Sequence, residues 1–333
     1  MLRGLAPLSL VVAAPLCCVL LAPGMPALAA DGRTPIWEPT TITEPGAYYL
    51  ARDLVSDGNK LITIAASGVD LDLAGHALSG PGLGTGVSIA PQQERVRIHD
   101  GVFRSLGDGI EASQARAIVV EHVRCEAGFR CVFVTNSDTT IVRDCQLSGT
   151  GPVLYLIDTR PAIVERNLIE TTGSIEPARL LSTDSVRAED NASVLATNRA
   201  QIYTSGNAVW IRSNRVIKTS GFVALSTGGP GSVAEENVVS GGWLAAAEAD
   251  TVVAGNIVRD NVSVVAALDL RGVRPLVEDN LISANAGDGI VFQPGTADGV
   301  LRRNVARGNT FADFSDFGVN NSTSGDNFVP LLY

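Results

Sequence analysis

The side chains best suited to chemistry in this 333-residue chain are carboxylates, arginines and aromatic rings that recur at near-regular intervals. Aligning the short segments GVSI, GIEA, CVFV, VLYL, QIYT, LDL and IVF puts Ser88, Glu111, Phe133, Tyr155, Tyr203, Asp269 and Val291 at one position of successive units. Asp158 and Arg160 follow Tyr155, and Arg271 and Arg274 follow Asp269. Rings offer flat apolar faces to the C–H groups of a pyranose, while carboxylates and guanidinium forks hold hydroxyls and acidic groups. Glu111, Asp158, Arg160 and Asp269 are therefore the catalytic candidates. Phe133, Tyr155, Tyr203, Arg271 and Arg274 are the substrate-binding ones. Hydrolysis of a glycosidic bond needs one carboxylic acid to protonate the leaving oxygen and a second carboxylate to attack or to activate water. Lyase or C5-epimerase chemistry needs a base for the C5 proton and an arginine or metal to stabilise the charge that develops.

The remaining reactive groups read as structural. His76, His99 and His122 are spaced 23 and 23, which suggests a stacked edge, but they fall at different offsets within the units. No metal site is assigned to them. Cys17 and Cys18 lie in a leader; the other three cysteines allow at most one bridge, with Cys125 and Cys131 flanking a short turn across which a local pair can form and Cys145 in an interior turn. No histidine partner or oxidoreductase motif accompanies them, so they read as small buried groups.

Positioning these residues is the task of a repeat. A phrase of the form apolar-x-x-Asn-x-apolar recurs at Asn167, Asn191, Asn214, Asn237, Asn256, Asn280, Asn304 and Asn327, with spacings of 24, 23, 23, 19, 24, 24 and 23. Further back the same slot holds Cys145, Val123, Gly101 and His76 at spacings of 22, 22, 22 and 25, which makes twelve slots. Between them run short alternating apolar segments broken by Gly, Asn, Asp, Ser and Thr, with no helical period from 60 to 330. Three short strands and three turns fill such a unit, and stacked units pair in parallel at ~4.8 Å. The expected fold is all-β: a single-stranded right-handed parallel β-helix of about twelve coils. The asparagines are expected to take the left-handed turn conformation themselves and to stack their amides as an internal ladder. That burial would make the Asn191-Ala-Ser sequon a poor glycosylation site.

The segment ITEPGAYYLARDL, then LITIAASGVDLDLAGHALSG, then the Asn-turn repeats resembles the right-handed parallel β-helix proteins of the pectate-lyase-like superfamily over residues 41 to 328. The resemblance implies the fold but no single activity, because that superfamily contains lyases, hydrolases, C5-epimerases, tailspikes and non-catalytic surface proteins. The catalytic signatures of its polygalacturonase-like hydrolases and alginate epimerases are absent, and so is a pectate-lyase calcium cluster. No catalytic residue is carried over.

Composition bounds the partner. Net charge is −10, and all but Lys60 and Lys218 of the 25 basic residues are arginine. Such a surface repels nucleic acid, while arginine still permits local recognition of carboxylates. Residues 1–29 read as a secretory signal peptide: Arg3, an apolar stretch, then Ala27-Leu28-Ala29. Residues 30–60 are expected to cap the helix, 61–308 to form it, and 309–333, with Phe311, Phe314, Phe317 and Phe328, to close it. The expectation is an exported protein, secreted or periplasmic and not inserted in a membrane, whose partner is a polysaccharide, with acidic glycans favoured. It acts as a lyase, glycoside hydrolase or C5-epimerase, or is a non-catalytic surface scaffold. It needs no cofactor, except calcium if it is a lyase.

Overall fold

The computed structural model describes residues 32–171, 178–181, 185–195, 202–218 and 223–327. The expected signal peptide and Phe328 lie outside them. Among the described residues there is no helix, and the strands wind into a parallel β-solenoid of about 11 turns. One sheet has 13 strands and the other 24. The larger one folds into two rows, joined where the long strands Glu94–Arg104 and Arg116–Glu126 run through the bend without a break. Each turn therefore presents three faces.

Alternation decides which side chains fill the interior. In Asp138–Arg143, Thr140 and Val142 point inward, and one step away Ala162 and Val164 do the same in Arg160–Glu165. The inward column through Leu71, Ile98, Val120, Val142 and Val164 is at most 2% exposed. Burying each such side chain contributes about 1.5–3 kcal/mol. The parallel pairing begins before residue 60, since Thr34–Ile36 pairs with Gly46–Leu50, which pairs with Val69–Asp72. At the other end Phe314 packs edge-on against Phe292, centroids 5.8 Å apart, while Phe311 and Phe317 are exposed.

The asparagines stand at the bend between the two rows of the larger sheet, and the ladder is direct. Asn191 Nδ2 donates to Asn214 Oδ1 at 3.0 Å and to the Val164 carbonyl at 2.9 Å, and its backbone N–H donates to the same Asn214 oxygen at 3.0 Å. The same contacts recur from Asn167 to Asn304. Asn191 is 1% exposed, which hides its sequon.

One expectation is corrected here. The left-handed residue is not the asparagine but the one before it: Asp100, His122, Asp144, Arg166, Asp190, Ser213, Glu236, Asp279 and Arg303 have φ between 51° and 56°, and Gly255 has 64°. A left-handed residue reverses the chain at the corner, and the asparagine after it is then free to point its amide inward. The slot also changes character toward the N-terminus. Val123 is a buried apolar residue, and a Cβ on Gly101 would meet the Leu73 side chain at 2.1 Å, so only glycine fits there. His76 lies at the surface with Nδ1 3.0 Å from Asp53 Oδ1, so twelve slots do not give twelve interior ones.

Candidate functional site

The 13-stranded sheet carries the column read from the sequence. Its register runs Ser88, Glu111, Phe133, Tyr155, Arg179, Tyr203, Ser226, Ala245, Asp269, Val291 and Ser315, one residue per turn. Arg179 was missed because the intervening unit carries no recognisable segment, although its place follows from the register. Three expected outward positions are covered: Ser88 is 5%, Asp269 6% and Val291 3% exposed. Ser88 lies beneath Lys60, whose Nζ donates to its Oγ at 2.8 Å.

The central part of the column sets rings and guanidinium groups against one another. Phe133 and Tyr155 are 5.6 Å apart and tilted by 38°. Arg130 stacks over Phe133 at 3.6 Å, and Arg179 stands over Tyr155 at 5.1 Å. Arg130 is locked by a two-pronged pair with Asp108, 2.7 Å at each prong. Such a fork fixes both position and plane. Glu111 faces Lys60 at 3.5 Å.

The catalytic candidates do not converge. Seven inter-strand steps separate Glu111 from Asp269, about 34 Å at ~4.8 Å each, so the two cannot flank one glycosidic bond, which needs separations of about 5–9.5 Å. Asp158 is the left-handed turn residue, φ 49°, three positions after Tyr155 and two turns from Glu111. The structure brings together one candidate pair: Asp269 Oδ2 accepts from Arg271 at 3.2 Å, and its buried Oδ1 has no hydrogen-bond partner among the described residues. Arg274 is outside the column, in a two-pronged pair with Asp250 on the neighbouring turn at 2.7 Å.

Arg160 belongs to a different row. Glu94, Arg116, Asp138 and Arg160 are in register along the next face, and Arg116 bridges Glu94 at 3.3 Å and Asp138 at 3.1 Å. Beside them is a depression of about 540 Å³ lined by Gln92, Glu94, Gln114, Ala115, Arg116, Asn136 and Asp138. Gln114 and Asn136 directly follow the strands that bear Glu111 and Phe133, so the depression adjoins that half of the column. Its signal in the sequence is the recurrence of charged residues every 22 positions, 94, 116, 138 and 160. A polar, hydrogen-bonding depression beside a ring column can hold hydroxyl-bearing ligands.

No protein-family model and no curated protein matches the chain. Solved structures do. The catalytic domain of a GH87 alpha-1,3-glucanase in complex with tetrasaccharides aligns with a TM-score of 0.60 at 9% identity, covering 90% of this chain and 64% of that one. A PL6 family alginate lyase aligns at 0.54 and 13% identity, covering 88% and 50%. DFA-IIIase from Arthrobacter chlorophenolicus A6 in complex with GF2 aligns at 0.51 and 12%, covering 77% and 70%. This chain thus spans only half to about two-thirds of the length of these structures. At such identities the likeness establishes a shared fold.

Proposed function

We propose that this protein binds a polysaccharide along the ring and guanidinium column of the 13-stranded sheet and its adjoining depression, with acidic glycans as the favoured class. The observation that supports this most is the unbroken register of Glu111, Phe133, Tyr155, Arg179 and Tyr203, with arginines stacked on two of the rings. A linear polymer presents a repeated face, and a column repeated once per turn meets it with repeated contacts. On a chain of net charge −10, the column and its flanks bring Lys60, Arg130, Arg179 and Arg271 to one face beside Asp108, Glu111 and Asp269. The likeness to the alginate lyase and the glucanase supports a carbohydrate ligand. The same reading makes the protein an exported one, acting where such polymers occur.

Processing of the bound polymer, by cleavage or C5 epimerisation, is the further step of this proposal. The separation of Glu111 from Asp269 favours a second reading, a non-catalytic binding scaffold. A binding and degradation screen against neutral and uronic-acid polymers, with and without Ca²⁺, distinguishes the readings. Unsaturated, hydrolysed or epimerised product establishes turnover. Binding without product establishes the scaffold, and no binding to any polymer removes the proposal. Tyr155→Ala should weaken binding about tenfold, with the melting temperature nearly unchanged because the ring is only partly buried. Undiminished binding by this variant would remove the column as the contact surface.

A further inference from the structure

A separate cluster stands at the bend before the asparagine slot, near the N-terminal end of the solenoid. Asp72 is in register with His99, and Asp100 is the left-handed corner residue that follows, φ 54°. His99 is 8% exposed, with carboxylates on both sides of its ring. Its Nε2 is 3.0 Å from Asp70 Oδ1. Its Nδ1 is 2.7 Å from Asp100 Oδ2 and 4.0 Å from Asp72 Oδ1. Cations surround the group: Arg97 lies 3.4 Å from Nε2 and 3.6 Å from Asp70, and Arg33 pairs with Asp72 Oδ2 at 2.5 Å. Asp72 Oδ1 also accepts the Ala74 N–H at 2.6 Å, and His122 Nδ1 is 3.5 Å from Asp100 Oδ1.

Two features set this cluster apart from an acidic patch. Asp70 on Nε2 and Asp100 on Nδ1 fix the orientation of the imidazole, with its Nδ1 edge toward Asp72 and Asp100. A carboxylate on the far nitrogen is the usual support of a metal-bound imidazole. The second feature is that Nδ1 faces two carboxylates but hydrogen-bonds only one, Asp100 at 2.7 Å, with Asp72 standing 4.0 Å away. A divalent ion would serve the nitrogen and both oxygens together. These three atoms lie within 4.8 Å of one another. Tetrahedral ligands at 2.0–2.1 Å stand about 3.3 Å apart, so Asp100 would swing back by about 0.6 Å and Asp72 forward by about 0.7 Å. The Asp100 side chain is 52% exposed, leaving an open side for water.

We propose that Asp72, His99 and Asp100 bind a divalent transition-metal ion of the zinc class, with Asp70 orienting the imidazole. One nitrogen and two carboxylate oxygens suit Zn²⁺, whereas Ca²⁺ takes six to eight oxygens. The test is calorimetric titration of tag-free, chelator-treated full chain with Zn²⁺ alone. One equivalent should bind with low-micromolar affinity, and Ca²⁺ should give no saturable heat. Asp100→Asn preserves the left-handed corner and should weaken Zn²⁺ binding at least tenfold, as should His99→Gln. His76→Gln, in the other His–Asp pair, should leave it unchanged. Because His99 is buried, Asp100→Asn decides the matter if His99→Gln does not fold. Wild-type affinity in Asp100→Asn, an equal loss in His76→Gln, or no saturation by wild type at millimolar Zn²⁺ would each overturn the proposal.

Discussion

Glu121 shows how much electrostatics one residue concentrates. Its side chain is 2% exposed, on the outer side of its strand, enclosed by Arg97 Nε at 2.6 Å and Arg143 Nε at 2.5 Å. Burial pushes its carboxyl pKa up, but the two guanidinium groups outweigh burial and hold it below the usual carboxylate range. A carboxyl depressed in the folded state stabilises above its unfolded pKa of about 4.3 and loses that contribution as pH falls through the folded value. Glu121→Gln should therefore cost about 2 kcal/mol at neutral pH, less than a fully buried pair because the arginines reach solvent. The gap to wild type should close below the carboxylate range. Urea titrations at both ends of that window measure it, and a gap independent of pH would refute the assignment. At this scale the sequence showed only part of the picture. Ring and carboxylate positions along the column were legible because alternation has period two, but the pairing of Arg130 with Asp108 was not, because both stand at the first position of their strands, just outside the aligned segments GIEA and CVFV.

Among elements, the corner with its asparagine row carries the strongest dependence. Asn237 is fully buried; its Oδ1 accepts from the backbone N–H and Nδ2 of Asn214, and its Nδ2 donates to Asn256 and to the Ile211 carbonyl. Asn237→Ala orphans groups on both neighbouring turns, each at about 1–3 kcal/mol. The expected loss is about 3–5 kcal/mol, read as a fall in urea midpoint, and a loss no larger than that of a surface substitution would discount the row. The row was legible because one residue type recurred at one period. The φ assignment was not, because the left-handed position holds Asp, His, Arg, Ser, Glu or Gly and has no single signature. A second, shorter row went unread: the Asn261 backbone N–H donates to Asn285 Oδ1 at 3.0 Å, Asn285 Nδ2 to Asn309 Oδ1 at 2.7 Å, and Asn309 Nδ2 to Asp313 Oδ1 at 2.6 Å. Its signal was an asparagine five residues after each of Asn256, Asn280 and Asn304.

The whole molecule is a stack in which each turn touches mainly its neighbours, so its stability is close to a sum over turns. Removing residues 257–280 joins Asn256 to Leu281 and keeps both asparagine rows in phase, because Asn285 then falls five residues after Asn256 as Asn261 did. This excision should leave a parallel β fold that unfolds in one cooperative transition at a lower midpoint. Removing only 257–268 breaks the phase and should abolish it; circular dichroism with urea titration separates the two, and equal damage from both would argue against modular stacking. The row also has a direction and a first member. Cys145 donates its N–H to Asn167 Oδ1 at 3.0 Å, and its free thiol, 3% exposed, is pushed up to about 12 chiefly by burial. A thiol reagent cannot reach or activate that sulfur until the neighbouring turns part. Alkylation of Cys145 should therefore proceed at the rate of opening rather than of reagent encounter, so the protein carries its own clock for the breathing of the stack; labelling at the rate of an exposed thiol would show that the interior is not closed there.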